Sequence, residues 1–198
     1  AALAAGAEEL NVLLLDSHTR DGLTDAEVLV LAERCPLLGS LPPLIKTPEE
    51  EAHLTARLQA LHDGGITRFM VANIGQIKLV DDLGIEFMAS DYQLNLTNDL
   101  TASALSQIGL SRQTISIEMD HARMQELSAI GTIPLELVIY GRLPAMNTRC
   151  CPMGNIVGAR ETDQPCTRPC VRRSYALERD GRRYVLVGDR FCNVYILN

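Results

Sequence analysis

From Leu10 to Tyr140 the chain alternates short runs of Val, Ile and Leu with longer stretches whose apolar residues recur at helical spacing. The short runs predict strands at Leu10–Leu15, Leu38–Ile45, Thr67–Asn73, Glu86–Leu94, Thr114–Glu118 and Leu135–Tyr140, each bounded by Gly, Pro, Asp or Asn. The longer stretches predict helices at Thr24–Arg34, Thr47–Asp63, Ile77–Leu83, Leu100–Ile108 and His121–Ser128. Thr47-Pro48-Glu49-Glu50 reads as a helix start, with proline in the first turn. Gly64-Gly65-Ile66 and Gly84-Ile85 read as a helix stop followed by a strand start.

Six strands alternating with five helices predict parallel βα units rather than a meander. The expected fold is α/β, a partial TIM-like (β/α) barrel of about six units. A complete barrel needs eight units and about 250 residues, so this chain reads as a barrel lacking its first two strands. A doubly wound open sheet is the alternative, since six strands can complete one, but no Gly-x-Gly-x-x-Gly follows the first strand. After Tyr140 the pattern breaks. Residues 142–174 read as irregular, with Pro144, Pro152, Pro165 and Pro169, and Asp180-Gly181 between Ser174–Arg179 and Arg183–Val187 predicts a β-hairpin. The expected division is a C-terminal part of a barrel over 1–146 and a Cys-rich cluster-binding extension over 147–198.

Cysteine and charge sharpen that division. Cys150, Cys151, Cys166, Cys170 and Cys192 fall within 43 residues, whereas the preceding 149 hold only Cys35. Residues 1–141 carry a net charge of −12 and residues 142–198 a net of +5. The basic residues of the tail are all arginine: Arg142, Arg149, Arg160, Arg168, Arg172, Arg173, Arg179, Arg182, Arg183 and Arg190. Such asymmetry points to an anionic partner, or to arginines that compensate the acidic body. No uncharged apolar run reaches the roughly 18 residues of a membrane span, and no signal peptide is visible. The first residue is Ala1 rather than Met, so a segment of a longer chain, or one with a partner subunit, is expected.

A disulfide framework suits small secreted chains, whereas this one has a large aliphatic body that needs no staples. Metal ligation is the better reading. Cys166 and Cys170 form a C-x3-C pair, Cys151 stands in Cys-Cys-Pro-Met-Gly, and Cys192 follows the hairpin. Four thiolates so placed suit a 4Fe–4S cluster or a tetrahedral Cys₄ zinc site. Zinc ribbons favour two short knuckles and only one is present, which tilts the balance toward iron–sulfur. The surrounding arginines favour thiolate. Cys150 reads as a spare and Cys35 as an ordinary buried cysteine.

Five ordered motifs carry a family resemblance. They are Asp91-Tyr92-Gln93-Leu94-Asn95-Leu96-Thr97-Asn98, then Ser116-Ile117-Glu118, then Glu136 with Tyr140-Gly141-Arg142-Leu143-Pro144-Ala145-Met146. Cys151-Pro152-Met153-Gly154 with Cys166 and Cys170 follows, and Asp189 with Cys192 and Asn198 completes the order. This arrangement resembles peptidase family U32, the collagenase-like peptidases. The resemblance implies a TIM-like barrel and a 4Fe–4S cluster on Cys151, Cys166, Cys170 and Cys192. It also implies oxygen-independent hydroxylation of an RNA base or a ubiquinone precursor, with prephenate as the oxygen donor in some members. A cytoplasmic location goes with that chemistry. Cys150 departs from the family pattern, where an aromatic often stands.

In a TIM-type barrel the active site lies at the carboxyl ends of the strands. Asp91, Asn95, Glu118, Tyr140 and Arg142 all fall at predicted strand ends and are the candidate catalytic residues. Asp91 and Glu118 can hold or remove a proton, and Arg142 can clamp a carboxylate or phosphate. Glu136, at its strand's start, is either an inward-facing layer residue or structural. The histidines form no metal signature: His18 is isolated, His53 and His62 fall on a polar helix face, and His121 lies near the expected mouth. There is no Gly-x-Ser-x-Gly elbow and no His-Glu-x-x-His, so proteolysis rests on the family label alone. The leading expectation is RNA-base hydroxylation, with the arginine-rich extension contacting phosphate. A collagenase-like peptidase and a non-catalytic metal-stabilised module are the alternatives.

Overall fold

The computed structural model describes residues 3–14, 23–131, 133–158 and 166–198. Leu15, His18, Arg160 and Pro165 lie outside the described residues. Contacts divide the described residues into two units, one of 3–14 and 24–139 and one of 140–198 together with Leu23.

The first unit is a six-stranded parallel sheet whose order follows the sequence. Its strands are β1 (Leu10–Leu13), β2 (Leu37–Ser40), β3 (Arg68–Val71), β4 (Phe87–Ser90), β5 (Arg112–Thr114) and β6 (Leu135–Glu136). The intervening helices are α1 (Asp25–Ala32), α2 (Pro48–Asp63), α3 (Ile74–Asp82), α4 (Asp99–Gln107) and α5 (His121–Ile130). A doubly wound sheet reverses its order at a switch point, and this one never does. It is a curled half-barrel of βα units.

Local sequence fixes each helix start. Thr24 and Glu27 form a reciprocal capping box on α1, and Thr47 caps α2 with Pro48 in the first turn. Asn73 and Gln76 form a second box, which starts α3 three residues before the apolar spacing predicts. Gln76, fully buried, also donates to the Pro42 carbonyl at 2.6 Å and ties α3 to the loop after β2. Asn98 and Asp120 cap α4 and α5.

Alternate residues on the strands face opposite ways. Leu37, Phe69, Val71 and Met88 belong to the large core that also takes Val28, Leu54, Leu58, Leu61 and Val80 from the helices. Leu38, Met70 and Ala89, with Phe87, form a smaller cluster on the other face. All six strands end sooner than the apolar runs predict, β1 at Leu13, β2 at Ser40, β3 at Val71 and β4 at Ser90. β5 stops at Thr114, after which Ile115 makes a single bridge to Leu96, and β6 stops at Glu136.

The second unit contains a four-stranded antiparallel sheet in the order β7-β10-β9-β8. Its strands are β7 (Pro144–Thr148), β8 (Tyr175–Arg179), β9 (Arg182–Gly188) and β10 (Val194–Leu197). The predicted hairpin is β8–β9, and both turn residues, Asp180 and Gly181, have positive φ (51° and 72°). That is the geometry for which Asp-Gly is favoured. The stretch expected to be irregular contains β7, whose side chains give no strong alternating pattern. Pairing with β10 defines it, and Asn198 clamps its start through bonds to both backbone groups of Leu143.

Candidate functional site

At the carboxyl ends of β4 and β5 the first unit gathers three of the five candidate catalytic residues. Asp91 caps a short 3-10 turn, Tyr92–Leu94, accepting from the Tyr92 N–H at 2.8 Å. Burial pushes the Asp91 carboxyl up to about 6, the Tyr92 N–H works against this, and the Glu136 charge raises it further. Asn95 ends the turn in the left-handed conformation (φ 56°) and accepts from the Ser116 hydroxyl at 2.8 Å. The same Ser116 oxygen accepts from the Glu118 N–H at 3.4 Å, so one hydroxyl links Asn95 to the Glu118 backbone. The Glu118 side chain is exposed.

Register places Asp91 more closely. Ala89 pairs with Arg112 and Thr114 pairs with Glu136. Two residues beyond Ala89, Asp91 therefore falls in the row of Thr114 and Glu136 on one face. Thr114 Oγ1 donates to Glu136 at 3.0 Å. Glu136 thus closes its strand instead of opening it.

Toward the amino ends of the strands lies a network that sequence reasoning missed. Glu9 accepts from Arg68 at 2.7 Å and from Arg112 at 2.6 Å, and Arg112 Nε lies 3.1 Å from Glu136. Arg68 stacks on the Phe87 ring at 3.6 Å from its centroid, with Arg112 at 5.4 Å. Burial works to raise the Glu9 pKa, but the two arginines outweigh it and lower it. An arginine opening both β3 and β5 was the available signal. In barrel-type folds this end serves stability.

In the second unit the thiols are grouped. Burial pushes the Cys170 thiol up, and Cys151, then Cys192 and Cys166, add to the shift, so all three lie within electrostatic reach of it. Cys151 and Cys170 pack in one apolar cluster with Met153, Tyr175, Leu186, Val194 and Ile196. Local turns hold each sulfur. The Gly154 N–H donates to Cys151 Sγ at 3.2 Å and the Arg168 N–H to Cys166 Sγ at 3.3 Å. Cys170 sits in the 3-10 turn Pro169–Val171, and Cys192 in the turn joining β9 to β10. Gly158 backs Cys166 so closely that a Cβ there would lie 2.7 Å from its sulfur.

No disulfide joins any of the six cysteines. Cys150 is exposed and Cys35 is buried. Among the described residues, no group of three or more His, Cys, Asp or Glu is arranged to hold a metal ion. The four grouped thiols suit an iron–sulfur cluster in donor type and number, with two backbone N–H donors already on sulfur. Their ligating geometry is not preformed.

Tyr140 and Arg142 fall in the second unit, beyond the end of β6, and both are exposed. Arg168, Arg172, Arg173, Arg179, Arg182, Arg183 and Arg190 are exposed as well. His62, expected on a solvated face, is half-buried with Nδ1 3.2 Å from the Ile66 carbonyl. Among the described residues no helix is long and apolar enough to cross a membrane.

A βα half-barrel joined to a sheet that carries grouped thiols is the architecture on which the sequence motifs fall. Residues 44–198 match the profile of Peptidase family U32, and the chain belongs to that family. No curated protein and no solved structure matches the chain.

Proposed function

We propose that this protein is an iron–sulfur member of its family that carries out oxygen-independent hydroxylation of an RNA base. Cys151, Cys166, Cys170 and Cys192 would hold the 4Fe–4S cluster, which when bound supplies one-electron chemistry. The observation that carries the reading is the grouping of four thiols in one small unit, two of them already accepting backbone N–H bonds. Because these thiols are not in ligating geometry, metal binding must draw the turns together and so couples to folding of the sheet.

Asp91 is the proton-handling group of the first unit. A carboxyl titrating near 6 is poised to accept and return a proton close to neutral pH. Asn95, fixed by Ser116, offers an amide to orient a base edge, and Glu118 offers a second carboxylate at the same strand ends. Tyr140 and Arg142 are exposed groups available to substrate, and the extension's arginines would supply salt-dependent phosphate contacts. With no Trp and eight Phe plus Tyr, a stacking platform for single strands is poorly supplied, which favours insertion of one base into the strand-end site.

The test is anaerobic incubation of cluster-loaded protein with RNA and an oxygen donor such as prephenate, followed by nucleoside mass spectrometry. A base gaining one oxygen, lost in Cys170→Ser and reduced about 100-fold or more in Asp91→Asn, is expected. Cleavage of a collagen-type peptide with no change in RNA would instead establish the peptidase reading.

A further inference from the structure

We infer that Asp189 is a positioning residue that, together with Asn193, presents the Cys192 thiol to the other three cysteines. The inference rests on the reading of these four thiols as ligands. β9 ends at Gly188 and β10 begins at Val194, so Asp189–Asn193 is the whole connection between them. Its two end residues are polar yet almost wholly buried, at 4% exposure for Asp189 and 0% for Asn193. Burying a carboxylate and an amide at a sheet corner is costly unless both are bonded, and here they bond to each other and to the turn. Asp189 Oδ1 accepts from the Phe191 N–H at 2.9 Å and the Asn193 N–H at 2.8 Å, and Oδ2 accepts from Asn193 Nδ2 at 2.8 Å.

Those bonds fix the residues on both sides of Cys192. Its own N–H donates to the Asp189 carbonyl at 3.0 Å, and the Asp189 N–H donates to the Asn193 carbonyl at 3.0 Å. Cys192 is thereby held in the left-handed conformation, with φ 62°. Residues with a Cβ avoid that conformation unless their surroundings over-determine it. Glycine would satisfy the backbone better, so what Cys192 adds there is its thiol. The direction of that thiol is set by a buried carboxylate three residues earlier.

The experiment compares wild type, Asp189→Ala, Asp189→Asn, the exchanged pair Asp189→Asn/Asn193→Asp, and Val185→Ala. Val185 lies on the same β9 strand and supplies a stability control outside the turn. Two quantities are read: iron retained against a chelator titration, and the alkylation rate of Cys192 in reduced, metal-free protein relative to Cys35. Asp189→Ala, which removes the acceptor of both turn N–H groups, should lower iron affinity about 10–100-fold, as loss of an orienting partner does elsewhere. It should also alter the Cys192 rate several-fold. Asp189→Asn and the exchanged pair keep an Oδ1 acceptor at 189 and should hold both readouts near wild type. Val185→Ala should keep its iron even where its melting temperature falls as far as that of Asp189→Ala. If Asp189→Ala does not fold, Asn193→Ala, which removes the amide bonded to Asp189 Oδ2, carries the test and should move both readouts in the same direction. Unchanged iron affinity and unchanged Cys192 reactivity in the variant that carries the test would overturn the inference. Wild-type protein that takes up no iron would overturn the ligand reading alone, and the alkylation rates would still decide what Asp189 does.

Discussion

The two units reach stability by different routes. The half-barrel buries Leu54, Leu58, Leu61, Phe69, Val71 and Val80 in one core shared by sheet and helices. Among the described residues of the second unit, the apolar cluster against the antiparallel sheet buries Cys151, Met153, Leu186 and Val194, so a candidate metal ligand is part of the core itself. Units below about 70 residues seldom draw more than about 3–5 kcal/mol from packing and are commonly stapled by metal or disulfide. No disulfide is present here. The first unit should therefore fold on its apolar pattern, and the second should depend on what its thiols hold.

The largest effect should separate the units outright. Anaerobic chelation of the loaded protein is expected to cut amide protection in β9 and β10 without abolishing it, while β2–β4 stay as protected as before. Hydrogen exchange read by mass spectrometry checks this, and equal loss in both units would erase the contrast. Phe69→Ala should act in reverse. Truncating a fully buried ring costs about 3–5 kcal/mol, here in the half-barrel's unfolding transition, with iron content unchanged.

Asp91→Asn sharpens the picture through pH. The folded carboxyl titrates near 6, above its ordinary 3.8, so the protonated form is favoured by folding. Its stabilising contribution is complete below about 3.8 and is lost as pH rises through about 6. At pH 7 the variant should consequently be more stable than wild type by about 2–3 kcal/mol, a gain that vanishes under acid conditions. Denaturant titrations across that range would show it, and a parallel offset at all pH values would contradict the assignment. The smallest effect is local. Gly158→Ala sets a methyl 2.7 Å from Cys166 Sγ and 2.9 Å from the Gly154 carbonyl, costing about 1–3 kcal/mol of the second unit's stability. It should weaken iron retention through Cys166, and retention at the wild-type level would show that Cys166 is not a ligand.

The difference between the units also explains what could be read in advance. The order of strands and helices in the half-barrel was legible because each element carries its own period and its own cap, as at Thr24–Glu27 and Thr47–Pro48. Element ends were less so. Asn73 belongs to an apolar run yet caps a helix, and the run Leu135–Tyr140 leaves the sheet after Glu136. The thiol cluster was visible as composition. The elements that carry it were visible only at Asp180-Gly181, because β7 and β10 are defined by pairing across almost the whole unit. Asp189 and Asn193 are polar residues whose burial no local pattern announces. The same holds for Glu9, bonded to an arginine 103 residues away.

The most direct measurement is anaerobic purification of wild type and Cys170→Ser, with iron and sulfide quantified alongside an absorption spectrum. About four iron and four sulfide per chain, lost in the variant, is the predicted result. A single zinc with no visible chromophore, or four thiols that all alkylate freely with no metal bound, would contradict it.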